Sequence, residues 1–364
     1  MAFTGGFKAL LDFCIFSKEQ IDPVVVLKKG SSNKAVLESH GIKVYELPLI
    51  ELSKNPVHLF LYFPYLLINT FRLRRIIFNE KIQVLHSNDL YNMLLQFSKF
   101  LFRLKIPLIV HVRMMPASFP SFFYNTWRSI NTRAADRLIA VSHAIKKAYG
   151  SPANMDVVFD VKNIPENHPA YQFSFDGKRD FRFIYLANYI QGKGQDRALK
   201  AFEILVKKNP RVCITFAGGD MGIEKNMIFK KQLIERAHKV GLNDKIFFEG
   251  FVADVEMKLK MYDASLIFSE SESFSLVAYE SLRYGIPLIA TNCGGPAELF
   301  VHGESGFLVS NTSVQEMADT MHLLSSDMET GKKTSINARR HAVELTKREL
   351  NYEDLENIFL GMCE

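Results

Sequence analysis

Short apolar runs alternate with longer stretches of helical periodicity along almost the whole chain, and the alternation occurs in two series. Chains with this pattern fold into parallel sheets that carry helices on both faces. Ile164–Asp180, which contains Pro165, Pro169 and Gly177 but no apolar period, separates the series. The 364 residues suffice for two domains of ordinary size. The pattern predicts an α/β fold of two doubly wound domains that face each other across a cleft.

The two series define the predicted elements. The strands are Pro23–Leu27, Lys43–Leu47, Val84–Leu85, Leu108–Val112, Arg137–Val141, Phe181–Ala187, Val212–Ala217, Lys245–Phe248, Ala264–Phe268 and Pro287–Thr291. The helices are Lys8–Phe16, Leu67–Phe78, Asn92–Leu104, Ala144–Tyr149, Arg197–Lys207, Lys230–His238, Val255–Met261, Leu276–Tyr284, Val314–Leu324 and Ile336–Glu364. We expect domains at residues 1–165 and 166–345, with residues 346–364 as a helix packing back on the first. We expect the first strand to be either very short or cut off, because only Met1–Phe3 and one further residue precede Gly5 and Gly6.

Composition and charge narrow the class of protein. No apolar run reaches the roughly 18 residues of a membrane-spanning helix, the N-terminus does not resemble a signal peptide, and the four cysteines are isolated. These features predict a cytoplasmic protein. Residues 1–165 carry 21 basic and 11 acidic side chains, a net of +10, and the remaining 24 and 28 give −4. The basic half favours an anionic membrane surface or a phosphorylated acceptor over nucleic acid, for which no binding motif is present.

The segment Phe268–Val309 contains the residues that indicate chemistry. A strand ends there in a polar loop, and Ser273 or Ser275 can cap the helix that follows. The unpaired amides at the start of that helix, around Ser275, Leu276 and Val277, suit an anion such as a diphosphate. Two carboxylates, Glu272 and Glu280, lie before and within the helix. They suit the hydroxyls of a sugar and a ribose.

This array resembles a known family. Glu272 and Glu280 enclose seven residues, and Tyr284-Gly285-Ile286-Pro287, Gly294-Gly295, Glu298 and Gly303–Val309 follow in order. Together with Lys193-Gly194 and Gly218-Gly219, the combination resembles the retaining GT-B glycosyltransferases of family 4, also called glycosyl transferases group 1. The resemblance implies GT-B architecture, a UDP- or GDP-linked sugar on the second domain, and a glycan or lipid-linked acceptor on the first. It implies no metal or other cofactor.

The resemblance also implies a role for each matching position. Lys193 would neutralise the diphosphate, Glu272 would touch the sugar and Glu280 would hold the ribose. The remaining implied donor-binding residues are Gly5 and Gly6 in a glycine-rich loop, Asn188 and Gly218 near the phosphates, Val252 at the base, and the backbone at Phe274, Ser275 and Leu276. His111 and Arg113 would reach the sugar from the first domain, because residues two apart on a strand share a face.

The sequence departs from the family pattern at four places. Asn188 replaces an arginine, so a bidentate cationic contact to phosphate is lost. Ser273 and Ser275 replace small, permissive residues around Phe274, and Asn163-Ile164 replaces Asn-Gly. Arg113 takes the place of a strand-end histidine. A positive charge from Arg113 in place of the missing one at Asn188 is a hypothesis that follows from this pair of changes.

Two segments allow alternative interpretations. Leu59–Arg75, rich in Phe, Leu and Arg, fits either a core-facing helix with a basic outer face or an interfacial patch for an anionic membrane, and Phe97–Arg103 has the same composition. His86, at a strand end, fits either an acceptor site or a core histidine. For the whole chain, the leading hypothesis is a glycosyltransferase of cell-surface polysaccharide or lipopolysaccharide biosynthesis, peripheral on the cytoplasmic membrane face. The alternatives are a non-catalytic GT-B partner subunit and an isomerase or epimerase.

Overall fold

The computed structural model of the protein describes residues 4–50, 56–161, 163–164 and 173–363. The chain forms two compact units: unit 1 comprises Met1–Lys162 and Glu349–Glu364, and unit 2 comprises Asn163–Arg348. The sequence-based boundaries, after residues 165 and 345, lie within a few residues of these divisions. The abbreviated first strand expected at Met1–Phe3, and most of the expected linker, fall outside the described residues.

The described strands and helices follow the alternation read from the sequence. The strands are β1 (Val24–Lys28), β2 (Lys43–Leu47), β3 (Leu85–Ser87), β4 (Leu108–Val112), β5 (Arg137–Ala140), β6 (Met155–Val157), β7 (Phe181–Leu186), β8 (Val212–Ala217), β9 (Ile246–Glu249), β10 (Ala264–Ile267), β11 (Leu288–Thr291) and β12 (Phe307–Val309). The helices are α1 (Gly5–Phe16), α2 (Asn33–Ser39), α3 (Pro56–Asn79), α4 (Leu94–Phe102), α5 (Ser121–Ala134), α6 (His143–Tyr149), α7 (Gln195–Lys208), α8 (Glu224–Lys239), α9 (Val255–Leu259), α10 (Leu276–Arg283), α11 (Val314–Ser326), α12 (Met328–Arg348) and α13 (Tyr352–Leu360).

Unit 1 contains two parallel sheets, one of β1 and β2 and one ordered β3-β4-β5-β6. The central strand β4 is buried along its whole length, as a strand covered on both faces must be. The last helix, α13, belongs to this unit. Phe13 of α1 packs against Tyr352 and Phe359, with ring centroids 5.6 and 5.4 Å apart, and the Tyr352 hydroxyl donates to the Ala9 carbonyl at 3.2 Å.

Three helix predictions in unit 1 and at the C-terminus were wrong. α1 begins at Gly5 and not at Lys8, because the Thr4 hydroxyl accepts the Phe7 amide and caps the helix earlier. α3 begins at Pro56 and continues through Pro64, which lies on the exposed side where water can serve the unpaired carbonyl. The expected final helix is two helices, because Asn351 starts α13 with a capping box.

Unit 2 is a single six-stranded parallel sheet ordered β12-β11-β10-β7-β8-β9. The chain runs outward from β7 to β9 on one side and resumes at β10 on the other side of β7. This is the doubly wound order, and it confirms the predicted fold class for this unit. The sheet is covered by a core rich in aromatic side chains, including the fully buried Phe181, Phe183, Phe202 and Phe216. The topological switch point, where such sheets bind ligands, lies between β7 and β10.

Four elements were not predicted. The strands β6 and β12 have three residues each, too few to show a period. The helix α2 has seven residues, two of them buried. In α5 the buried face consists of Tyr124, Trp127 and Asn131, so no aliphatic repeat marks the helix.

Candidate active site

Three loops converge at the switch point of unit 2, following β7, β10 and β11. The Glu270 amide donates to the Gly192 carbonyl at 2.9 Å, which joins the first two loops. The Glu272 amide donates to the Cys293 carbonyl at 3.1 Å, and the Gly295 amide donates to the Glu272 carbonyl at 2.9 Å. Backbone bonds on both sides of Glu272 therefore fix this residue between two neighbouring strand ends.

The side chains of Lys193 and Glu272, 79 residues apart in sequence, form an ion pair at this point. The Lys193 Nζ lies 2.7 Å from the Glu272 Oε1, and the Ser269 hydroxyl donates to the same oxygen at 2.7 Å. The Lys193 side chain is 34% exposed and that of Glu272 is 14% exposed. The structure thus brings together the two residues on which the sequence-based hypothesis depends, with the ammonium group open to solvent.

The side chain of Tyr185, near the end of β7, fixes the backbone beside this ion pair. Its buried hydroxyl accepts the Phe268 amide at 2.7 Å and donates to the Lys193 carbonyl at 2.5 Å. Burial raises the pKa of the Tyr185 phenol far above its usual value, so the hydroxyl keeps the proton that it donates. One side chain therefore fixes the backbone of Lys193 against the end of β10.

Two glycines permit the close approach of these loops. A Cβ at Gly194 would lie 1.9 Å from the Phe268 carbonyl oxygen, and the residue has a φ of +84°. A Cβ at Gly218 would lie 2.0 Å from the Ala187 carbonyl oxygen. No side chain fits at either position. These contacts give a packing reason for Lys193-Gly194 and Gly218 that is independent of any ligand.

The helix α10 starts directly after the Glu272 loop. Ser275, and not Ser273, caps it, and its hydroxyl accepts the Ala278 amide at 3.3 Å. Phe274 is buried and anchors the loop, and Ser275 adopts a φ of +78°, a left-handed conformation that is uncommon for serine. The amides of Leu276 and its neighbour belong to the first turn, which makes no intrahelical bonds and attracts anions.

Asn188 has a structural partner. Its Oδ1 accepts the Gly219 amide at 3.1 Å, and the fully buried Gln195 donates to its carbonyl at 2.9 Å. Val252 packs against the apolar cluster that includes Ile184, beside the end of β8. Glu280 lies in α10 and is half-buried. The roles of Asn188, Val252 and Glu280 in ligand binding stay predictions.

The four predicted residues of unit 1 differ from expectation. Gly5 and Gly6 are in the first turn of α1, so the prediction of a glycine-rich loop was wrong. His111 is 1% exposed, and its Nδ1 lies 2.6 Å from the His86 Nε2. Arg113 follows the end of β4, forms an ion pair with the buried Asp160, and donates to Asn88 at 2.9 Å.

His111 and Arg113 therefore do not form one exposed surface. Burial lowers the pKa of the His111 imidazole well below its ordinary value and that of His86 to about 3, and the charge of Arg113 lowers both further. The two rings meet edge to face, with centroids 4.8 Å apart. For His86, this geometry favours the core interpretation.

Sequence reasoning missed Tyr185, Ser269 and Gln195. In the sequence, Tyr185 is one of several large residues of β7. A tyrosine hydroxyl in a buried strand nevertheless indicates a hydrogen-bond partner inside the protein. Ser269 directly follows β10, a position that signals a loop at the ligand-binding edge. Cys293 is a buried thiol whose pKa is raised to about 11 by desolvation, as expected for an isolated cysteine. Among the described residues, no three His, Cys, Asp or Glu side chains are arranged to hold a metal ion.

Comparison with known proteins agrees with this geometry. The family model "Glycosyl transferases group 1" matches residues 171–341, and "Glycosyltransferase Family 4" matches residues 20–158. The fold matches the crystal structures of Anabaena Alr3699/HepE with UDP and glucose (TM-score 0.80, 20% identity, 98% of this chain and 95% of that one) and with UDP-glucose (0.80, 21%, 99% and 95%). At these identities the likeness shows the fold.

Curated relatives match over shorter stretches. The alpha-1,3/1,6-mannosyltransferase ALG2 of Dictyostelium discoideum is 28% identical over 48% of this chain and 44% of its own length. The N-acetyl-alpha-D-glucosaminyl L-malate synthase of Bacillus anthracis is 32% identical over 35% and 33%. The matches thus span less than half the length of either relative. Each of the two Rossmann-like units is matched by one of the two family models, and this pair of matches defines the class as GT-B. The chain belongs to the GT-B glycosyltransferases of group 1 and family 4.

Proposed function

We propose that the protein is a retaining glycosyltransferase that moves a sugar from a nucleotide-diphosphate donor to a hydroxyl group of a glycan or lipid-linked glycan. The observation that carries the proposal is the Lys193–Glu272 pair beside the start of α10. A site with an ammonium, a carboxylate and helix amides suits a diphosphate attached to a polyhydroxylated ring. In the proposed complex, Lys193 turns to the diphosphate, and Glu272 binds the sugar hydroxyls.

In the proposed reaction, the bond between the anomeric carbon and the β-phosphate oxygen breaks before attack is complete. The acceptor hydroxyl attacks from the face that the diphosphate leaves, and its proton passes to the departing phosphate oxygen. The products are a nucleoside diphosphate and a glycoside of unchanged anomeric configuration. Lys193 and the α10 amides stabilise the charge that develops on the diphosphate, so this scheme requires no metal ion.

The nucleotide is proposed as UDP, with GDP as the alternative. Alr3699/HepE, whose fold this chain shares, was solved with UDP and with UDP-glucose, so UDP is the first nucleotide to test. In the same proposal, Val252 contacts the base and Glu280 the ribose. The acceptor belongs to cell-surface polysaccharide or lipopolysaccharide synthesis, and the reaction occurs at the cytoplasmic face of the membrane.

The test is transfer from a panel of UDP- and GDP-sugars to extracted lipid-linked and free glycans. Lys193→Ala and Glu272→Ala should each reduce transfer at least about 100-fold, because each removes a charged group at the reacting centre. Lys208→Ala is the matched control, since Lys208 forms a 2.6 Å ion pair with Asp319 on the surface of the same unit. Because the Lys193 side chain is 34% exposed, its ion pair contributes at most about 1 kcal/mol, so Lys193→Ala should keep the melting temperature nearly unchanged. Full turnover by both site variants would refute the assignment.

One observation favours a second candidate, a GT-B partner subunit without transfer activity. Asn188 occupies the position of the family's second phosphate-binding cation, and its Oδ1 is engaged by the Gly219 amide. Calorimetric titration separates the two functions. The transferase requires binding of UDP or GDP that weakens in Lys193→Ala. A folded protein that binds neither nucleotide would instead be assigned to the partner class.

A further inference from the structure

The helix α3 exposes a continuous row of large apolar side chains. Phe60, Phe63, Leu67, Phe71 and Phe78 follow one another at spacings of three, four, four and seven residues, which places them along one side of a helix. Their exposed fractions are 80%, 71%, 44%, 52% and 63%. A soluble surface rarely presents such a row, and one this long marks an interaction site.

The opposite side of α3 is already used for the core of unit 1. Leu66, Leu73, Ile76 and Ile77 are buried there. The helix is therefore apolar on two sides, and burial in its own unit explains only one of them. The sequence analysis gave a core-facing helix and an interfacial patch as alternatives for this segment. The structure shows that the segment is both a core helix and an exposed apolar surface.

The neighbouring helices α4 and α5 also carry exposed aromatic side chains. Phe71 contacts Phe102 of α4 edge to face at 5.3 Å, and Arg74 lies 4.8 Å over the Phe102 ring. Gln96 of α4 donates to Asn131 of α5 at 2.6 Å. Each helix adds an exposed aromatic, Phe100 at 80% on α4 and Phe122 at 74% on α5. The three helices form a layer, named here the α3–α5 layer.

The charge of this layer has one sign. Residues 56–134 contain ten Lys and Arg and two Asp and Glu, a net of 10 − 2 = +8, and two of these cations, Lys99 and Arg113, pair with acids outside the segment. Of the two acids, Glu80 accepts from Lys43 at 2.7 Å and from Tyr45 at 2.5 Å, and Asp89 is half-buried, accepting the Leu90 amide at 2.7 Å. On α3 itself, the charged side chains are Arg72, Arg74 and Arg75, which lie between the exposed Phe71 and Phe78.

We propose that the α3–α5 layer docks on an anionic phospholipid bilayer, with α3 lying along the interface. Exposed phenylalanines enter the headgroup region while arginines contact lipid phosphates, which is the composition of an interfacial helix. The 24 residues of α3 extend over about 36 Å. Among the described residues, no helix is both long and apolar enough to cross a bilayer.

A second copy of the chain fits this surface less well. A two-fold contact places the same patch on both partners, so it would bring together two surfaces whose helices carry six Lys and Arg and no Asp or Glu. Like charges across such a contact oppose it, whereas anionic lipid complements both the charge and the apolar row. The choice of lipid over self-association therefore rests on the sign of the charge.

The test is co-sedimentation of the full chain with vesicles of phosphatidylglycerol and phosphatidylcholine, compared with phosphatidylcholine alone. The wild type should pellet with the anionic vesicles at low salt and be released by high salt. Phe60→Ser with Phe63→Ser should weaken binding at least about tenfold, because two exposed aromatics are removed from the interface. The matched control is Ile228→Ser with Ile336→Ser, two residues of unit 2 that are 50% and 61% exposed.

A second pair of variants tests the electrostatic contribution to vesicle binding. Arg72→Gln with Arg75→Gln should weaken binding by about tenfold or more at low salt. Lys332→Gln with Lys333→Gln removes the same charge from the exposed side of α12 and should leave binding unchanged. Circular dichroism establishes that all variants fold.

Two results would overturn the proposal. One is a wild type that stays in the supernatant with anionic vesicles at low salt. The other is a dimer, by analytical ultracentrifugation, that Phe60→Ser with Phe63→Ser dissociates while vesicle binding stays unchanged. Because no nucleotide or acceptor enters these assays, their outcome is independent of the proposed transfer reaction.

Discussion

Replacement of Tyr185 by phenylalanine tests whether the donor site is held in place by a single buried hydroxyl. The change removes two hydrogen bonds, from the Phe268 amide at 2.7 Å and to the Lys193 carbonyl at 2.5 Å. It leaves the aromatic ring, which packs against Phe216 and Phe268, in place. The Ser269 hydroxyl, 3.3 Å from the Lys193 carbonyl, compensates one of the two losses only in part.

The magnitude follows from these contacts. A lost neutral hydrogen bond costs about 1 kcal/mol, and a buried donor left without an acceptor costs about 1–3 kcal/mol. For Tyr185→Phe the free energy of unfolding of unit 2 should fall by about 2–4 kcal/mol. For a unit of this size, the melting temperature should then fall by roughly 4 to 16 °C. Because the Lys193 backbone loses its anchor, the affinity for UDP should also fall about tenfold.

Tyr189→Phe is the matched control. Tyr189 is also fully buried in unit 2, but its hydroxyl is a donor to the carbonyls of Phe216 at 2.9 Å and Glu249 at 3.1 Å. Its removal leaves no amide unpaired, so the cost should be about 1 kcal/mol, with unchanged UDP affinity. Thermal denaturation and calorimetric titration measure both effects. Equal stability of the two variants, together with wild-type UDP affinity for Tyr185→Phe, would refute the positioning role.

Two further predictions concern backbone clash and pH. Gly194→Ala should destabilise unit 2 by at least about 3 kcal/mol in urea unfolding, because a Cβ would meet the Phe268 carbonyl at 1.9 Å. Gly222→Ala, with a φ of +65° and open space around its Cβ, should lose only about 1 kcal/mol, and equal losses would contradict the clash. The lowered pKa of His86, about 3, means that its contribution to stability is present above pH 6.5 and declines as the pH falls towards 3. Unfolding at pH 7 and pH 5 should therefore show a smaller loss of stability for His86→Gln than for the wild type, by about 2 kcal/mol, whereas identical slopes would exclude the role of His86. Asp89, with a pKa raised by burial to about 6, acts in the opposite direction below pH 6 and is common to both proteins.

Most elements were predicted from sequence because they have enough residues to show an apolar period, and the 14-residue α5 is an exception because its buried face has no aliphatic repeat. The strands Lys43–Leu47 and Leu108–Val112 were placed at their observed bounds because a proline follows the first and a charged residue follows the second. The three-residue β6 and β12 carry no such signal. The start of α3 was not predicted because a proline such as Pro64 usually marks the end of a helix. In the folded helix, Pro64 lies on the exposed side, where a proline is tolerated.

For the site, sequence identified residue types but not their partners. Lys193 and Glu272 come together because β7 and β10 are neighbours in a parallel sheet, a fact of topology. The Tyr185 bonds depend on the same neighbours, which is why this residue was missed. In unit 1, His111 is bonded to His86 and the buried Arg113 is paired with Asp160, partners that strand alternation cannot reveal.

Whether a cationic side chain can bind a diphosphate depends on the groups of the protein that already hold it. The hypothesis that Arg113 replaces the cation missing at Asn188 requires Arg113 to leave Asp160, although both side chains are less than 10% exposed. Breaking a buried ion pair costs about 3–5 kcal/mol, which exceeds the gain from a single phosphate contact. In unit 2, Arg197 already donates to the Asn311 carbonyl at 2.8 Å. Phosphate binding in the proposed site therefore depends on Lys193 and the first-turn amides of α10, so loss of Lys193 should be more severe here than in a site with two cations.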